Sequence, residues 1–208
     1  ALAKLNQLSP DWDLKVTKAD LETLIPDAKI RGEVEKVVEV TQCSVWGMAP
    51  NREYVGRDWN GFATIRWQTA GFRSMVLVYF RDLAANFDAV RKGWVADLPG
   101  GRHSVEQMGN ILRSYTNGEA EKLVKTLPQS AIMHCTCGPN DCMVIPAGWL
   151  VCETTLTATA RGFRRTVLTS DARDADDIMN MQAHTPKPNP LVPKLLELAK
   201  KIAQKRGS

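Results

Sequence analysis

Four side chains able to hold a metal crowd one short stretch: His134, Cys135, Cys137 and Cys142. Thiolates and imidazole are the ligands of tetrahedral zinc, and imidazole joined by a carboxylate suits iron. Their spacing argues against a closed site. His134 and Cys135 are adjacent and would point to opposite faces of a strand, whereas Cys135 and Cys137 share one. No C-x-x-C knuckle is present. The same stretch offers a second chemistry, a thiol nucleophile at Cys142 with Asp141 beside it and His134 close by as base. Apolar Met143, Val144 and Ile145 follow directly, as they would in a packed strand, and an unpaired Cys usually behaves as a small buried hydrophobe. The expectation is therefore structural thiols, no catalytic residue and no resident cofactor, with Zn or Fe at these four residues as the alternative.

The elements that must position these residues follow from periodicity and punctuation. Residues 1–30 read as a helical segment, with Thr17 as N-cap, Asp20 at the capping-box position and Pro26 as the stop. The valine-rich run Glu33 to Thr41 predicts a first strand. From Gly61 to Gln68, Ala63, Ile65 and Trp67 alternate with Thr64, Arg66 and Gln68, which is the period of a half-buried strand. The Ala70-Gly71 turn and the run Arg73 to Phe80 then predict an antiparallel hairpin. Leu83, Phe87, Val90 and Trp94 mark one helix face. Ser104 and Gln107 form a capping box for a helix through Tyr115, and Asn117 opens a third helix through Leu127, so residues 83–127 form a helical insertion. Four strands follow at Ala131 to Cys137, Cys142 to Ile145, Leu150 to Thr157 and Gly162 to Thr169, divided by Gly- and Pro-bearing turns.

Within this second β region, Asn140-Asp141, the strand Cys142 to Ile145 and the turn Pro146-Ala147-Gly148-Trp149 resemble the second conserved motif of cupin and JmjC-like β-barrels. The resemblance implies an α+β fold: an antiparallel cupin-like barrel or sandwich over residues 31–170, with the helical insertion and a C-terminal helix. It also implies a pocket near Trp149. The family's metal enzymes carry a histidine three residues after the motif glycine, and this chain has Val151 there; the hairpin from Gly61 to Phe80 holds no His or Glu. A non-haem iron centre needs about two His and one carboxylate, so the resemblance is to a degenerate member. If Val151 faces inward, so does Glu153, and a buried Glu needs a partner such as Arg66 or Arg73. The pocket candidates implied in this way are Arg66, Trp67, Arg73, Trp149 and Glu153.

Beyond the barrel, residues 171–193 read as an acidic, then Pro-rich linker, and residues 194–208 as a basic amphipathic helix. The chain of 208 residues has a formal charge of +4. That excess belongs to the tail, where Lys187, Lys194, Lys200, Lys201, Lys205 and Arg206 face only Glu197. Lys194, Lys200, Lys201, Lys205 and Arg206 are the candidate contacts for an acidic partner, nucleic acid included, while Leu195, Leu198 and Ile202 should dock on the protein itself. Trp46 and Trp59, flanking a loop with Arg52, Tyr54 and Arg57, are a second candidate nucleic-acid surface. A composition of 44% hydrophobic and 24% charged residues excludes a disordered or collagen-like chain. No apolar run approaches the roughly 18–20 residues that span a bilayer. Five cysteines, an odd number, favour reduced thiols and an intracellular compartment over a disulfide framework. The functional expectation is a non-catalytic recognition or assembly module that binds a protein partner or small ligand and forms homo-oligomers. A metal-dependent oxygenase or isomerase using His134, Cys137 and Glu153 is the alternative, and a nucleic-acid-binding protein the second.

Overall fold

The computed structural model of the chain describes residues 17–42, 44–48, 53–92, 103–113 and 123–207. In chain order the elements are α1 (Lys18–Leu24), α2 (Ala28–Gln42), β1 (Ser44–Met48), β2 (Glu53–Arg57), β3 (Thr64–Ala70), β4 (Arg73–Tyr79), α3 (Phe80–Lys92) and α4 (Val105–Arg113). They continue with β5 (Ile132–Cys137), β6 (Cys142–Ile145), β7 (Trp149–Thr155), β8 (Ala160–Thr166), α5 (Ala172–Ala183) and α6 (Leu191–Gly207). The strands form two four-stranded antiparallel sheets, one in the order β1-β8-β3-β6 and the other in the order β2-β7-β4-β5. The chain is thus a mixed α+β protein with a helical insertion and a C-terminal helix. Among the described residues no strand of one sheet pairs with a strand of the other, so the sheets face each other as a sandwich and do not close into a barrel.

Several local expectations hold. Thr17 and Asp20 form the reciprocal capping box of α1, and Ser104 and Gln107 form that of α4. The four strands after residue 131 fall within three residues of their expected limits, because their turns are set locally. Asn140 takes φ 73° and Gly148 φ 76°, positions that Asn and Gly tolerate and bulkier residues resist. Trp94, Tyr115 and Asn117 lie outside the described residues; residues 123–126 are helical.

Other expectations are corrected. The valine-rich run is not a strand but part of α2. The Asp27 side chain caps that helix by accepting from the backbone N–H of Lys29 (2.9 Å) and Ile30 (3.0 Å), and Val34 is buried on the body. A cap plus tertiary burial outweighs the weak strand preference of valine. The stretch Gly47 to Asn60, read as a loop, contains the end of β1 and all of β2. The acidic segment after Ser170 is not linker but α5. Asp171 caps it by accepting from the N–H of Arg173 (2.8 Å) and Asp174 (3.1 Å), and Ile178 and Met181 are buried. The expected β3–β4 hairpin is absent: β3 pairs with β8 and β6, and β4 with β7 and β5. The intervening turn bonds instead to the β7–β8 connection, with Leu156 N–H donating to Phe72 O at 2.9 Å and Phe72 N–H to Thr157 Oγ1 at 3.0 Å.

Three apolar layers hold the sandwich. On the outer face of the β3 sheet, Ile65, Trp67 and Val167 pack with residues of α1, α2, α5 and α6, among them Leu21, Val34, Ile178 and Leu195. On the outer face of the β4 sheet, Val78 and Leu150 pack with Leu83, Phe87, Val105, Met108 and Leu112 of the insertion. Between the sheets lie Met75, Leu77, Cys137, Ile145 and Val151. Helix α6 contributes Val192, Leu195, Leu198 and Ile202, all buried. At roughly 1.5–3 kcal/mol per buried aliphatic side chain this is a gross gain of about 6–12 kcal/mol, which is why the basic tail docks instead of standing free.

A prediction follows for α2. Gly32 is helical with open space where a Cβ would stand. Gly32→Ala is expected to raise the unfolding free energy by about 0.5–1 kcal/mol, read as a later urea midpoint with an unchanged slope.

Candidate functional site

Alternation along the inner strands decides what enters the space between the sheets. On β3 the inward residues are Thr64, Arg66 and Gln68; on β4 they are Arg73, Met75, Leu77 and Tyr79; on β7, Trp149, Val151, Glu153 and Thr155. Arg66 reaches across the sandwich, with Nη1 donating to both oxygens of Glu153 at 2.9 and 2.8 Å. Its Nε donates to Asp58 Oδ2 at 3.1 Å and its Nη2 to Asp58 Oδ1. Thr64 Oγ1 donates to Asp58 as well, at 2.6 Å. Arg73 Nη1 donates to Glu153 Oε2, and its Nε to Gln68 Oε1 at 2.7 Å. Gln68 in turn donates through Nε2 to Cys137 O at 3.1 Å and to Gly71 O.

All four charged residues are buried, Arg73 at 1% exposure and Glu153 at 6%. Two cations meet two anions, so the network is close to neutral, and the planar guanidinium forks suit carboxylates. Burial depresses the proton affinity of Arg66, but Asp58 and then Glu153 more than reverse this, and its net shift is upward. For Arg73 burial dominates, Glu153 compensates only in part and Arg66 adds repulsion, so its shift is downward. Arg66 is therefore the hub of the network.

Asp58 is the member that sequence reading missed. It lies just after β2, outside the stretch Gly61 to Phe80. The signal available was the pairing rule itself, since two buried arginines opposite one Glu leave a positive charge unmatched.

The residues around Val151 do not fit the iron centre of the family that the sequence resembles. Val151 is fully buried between Gly56 on β2 and Leu77 on β4, neither of which offers a ligand. The two nearby carboxylates are held by arginines. His103 packs on Phe87 with ring centres 4.6 Å apart, His184 on Phe80 at 5.2 Å, and His134 bonds Ser74 Oγ at 3.0 Å on an exposed face. The zinc alternative is dispersed too. Cys135 and Cys137 turn inward while His134 turns outward, and Cys142 is exposed on β6 opposite Trp67. No group of three or more His, Cys, Asp or Glu is placed to hold a metal among the described residues. Burial, with Cys137 beside it, pushes the Cys135 thiol up to about 11, burial also raises Cys137, and partial desolvation raises the otherwise exposed Cys142. With no metal bound, these shifts favour the neutral thiol over the nucleophilic thiolate.

Trp149 belongs elsewhere. It lies four residues from Glu153 along β7, about 13 Å at the usual rise of a strand, with buried Val151 between them on the same face. There it forms the rim of a cleft of ≈ 340 Å³ with Tyr79, Pro146, Asp82, Asp174 and Asp177. The Trp149 and Tyr79 rings are 5.5 Å apart and tilted by 39°. Tyr79 Oη donates to Asp177 at 2.7 and 2.9 Å, and Arg81 Nη2 lies 2.9 Å from Asp177 Oδ1. Helix α5 can come this close because Gly148 has no Cβ; one added there would stand 2.6 Å from Asp177 Cβ. The Pro-Ala-Gly-Trp turn thus builds a cleft wall.

Of the five pocket candidates, Arg66, Arg73 and Glu153 come together in the network, Trp149 is in the cleft, and Trp67 faces away from both. Trp67 packs in the outer layer 6.4 Å from Phe163, because it is adjacent to Arg66 in a strand. On the tail, Lys201 pairs with Glu197 at 2.8 Å and Lys205 with Asp20 at 3.8 Å, while Lys194 and Lys200 are exposed. Arg52 and the side chains of Trp46, Tyr54, Trp59 and Arg206 lie outside the described residues. No helix among the described residues is long and apolar enough to cross a membrane. Compared with known proteins, the chain matches no family model and shows significant similarity to no curated protein.

Proposed function

We propose that this protein is a non-catalytic recognition module built on a degenerate cupin-like jelly roll, binding its partner or ligand at the rim and not in the interior. The observation that carries this reading is the Arg66–Asp58–Glu153–Arg73 network. It takes up space between the sheets with groups that satisfy one another, while the Tyr79–Trp149 cleft at the rim is a concave surface open to a ligand. The strand orders β1-β8-β3-β6 and β2-β7-β4-β5 support the jelly-roll assignment, since eight antiparallel strands in two such sheets are the architecture that cupins use. Val151 at the family's histidine position supports the non-catalytic one.

Metal uptake tests the reading. Protein equilibrated with Fe(II) or Zn(II) and then exchanged into buffer is expected to keep well under about one equivalent, measured by elemental analysis. Retention of one full equivalent, lost in Glu153→Gln or Asp58→Asn, would overturn it in favour of a metal enzyme.

A further inference from the structure

The cleft has a definite chemical character, and naming its ligand rests on the rim-recognition reading above. A volume of ≈ 340 Å³ is at the small end for ligand sites and suits a compact molecule. One wall is aromatic, the tilted pair Tyr79 and Trp149 with Pro146 beside it. The other is acidic: Asp82 at the start of α3 and Asp174 and Asp177 on α5 face a single lining cation, Arg173. The three carboxylates are not equivalent. Asp177 is already served by the Tyr79 hydroxyl and by Arg81. Asp82 is paired with no cation among the described residues. Burial, then the like charges of Asp171 and Asp177, raise the Asp174 carboxyl above its ordinary value, opposed by Arg173 and a Thr169 hydrogen bond.

We infer that the cleft binds a small organic cation, an ammonium or guanidinium on an apolar stem, with the stem against Trp149 and Tyr79 and the charged head toward Asp82 and Asp174. Aromatic faces attract such cations through their quadrupole, and carboxylates on the opposite wall fix the head. A neutral or anionic ligand of the same shape would leave the acidic wall unmatched. A bare metal ion would find too few convergent ligands.

The test uses benzylammonium as probe, with benzyl alcohol and benzoate as matched neutral and anionic controls. Binding is followed by calorimetry and by the Trp149 indole resonance, assigned by its loss in Trp149→Phe. Benzylammonium is expected to bind at least about tenfold more tightly than benzyl alcohol, a margin of roughly 1.4 kcal/mol, and benzoate not to bind. Asp82→Asn is expected to weaken benzylammonium about three- to tenfold with an unchanged thermal midpoint, and Asp174→Asn likewise. Equal binding of benzylammonium and benzyl alcohol, preference for benzoate, or an unchanged affinity in both Asp variants overturns the cation assignment and leaves rim recognition standing. If no probe of any charge shifts the Trp149 indole, the cation assignment and the rim reading fail together.

Discussion

Arg66→Met is expected to destabilise the fold by about 3–5 kcal/mol, the usual cost of leaving a buried charge without its partner. The variant keeps Asp58 and Glu153 buried and removes the group that joins them. Arg73 still bonds Glu153, but the Asp58 carboxylate is left with Thr64 alone among the described residues. Urea unfolding near neutral pH gives the measurement, as a large fall in midpoint with little change in slope. Adding Asp58→Asn to Arg66→Met should recover part of the loss, because the unmatched charge is then gone. For scale, Lys201→Ala breaks the exposed Lys201–Glu197 pair and should leave the midpoint nearly unchanged. If Arg66→Met and Lys201→Ala shift the midpoint alike, the network does not lie in the core.

Gly71→Ala is the second substitution with a large expected effect, about 2–4 kcal/mol. Gly71 takes φ +76°, which costs an L residue roughly 1–2 kcal/mol by itself. The added Cβ would also overlap the carbonyl oxygen of Thr159 and stand 2.7 Å from Thr157 Oγ1 and 2.9 Å from Ala160 Cα. Two of these neighbours are backbone in the β7–β8 connection, so the clash is not relieved by a rotamer change. The turn that carries the chain from one sheet to the other would be pushed off the connection it bonds to. Gly47→Ala is the control, since nothing stands near its missing Cβ and its φ is ordinary; it should stay within about 0.5 kcal/mol. Comparable losses at both positions would show that neither the positive φ nor the close contacts of Gly71 govern the effect.

Much of the second β region was legible because its boundaries are fixed by residues acting on their own backbone. Asn140, Pro146 and Gly148 mark where strands must end whatever they pair with. That Glu153 shares a face with Val151 was legible as well from the two-residue period, while which face that is rested on the family resemblance. The error at α2 came from trusting valine composition over spacing: Val34, Val37 and Val38 also recur with the period of a helix. The segment after Ser170 misled in a similar way, because its acidic residues suggested a solvated linker. Asp171 instead caps α5, and the apolar face of the helix is Ile178 and Met181. Trp67 and Arg66 are adjacent in one strand and so cannot share a face, which puts Trp67 outside the pocket.

The four-donor stretch from His134 to Cys142 shows both sides of this division. From sequence alone, alternation separates His134 from Cys135 and keeps Cys135 with Cys137, and the fold preserves that arrangement. Strand pairing is another matter. Every strand offers the same backbone donors and acceptors, so a short turn such as Ala70-Gly71 does not determine whether its flanking strands pair. Only packing of the whole chain placed β3 and β4 in opposite sheets. That placement set Arg66 against Glu153, 87 residues away, and brought paired charge into the space between the sheets.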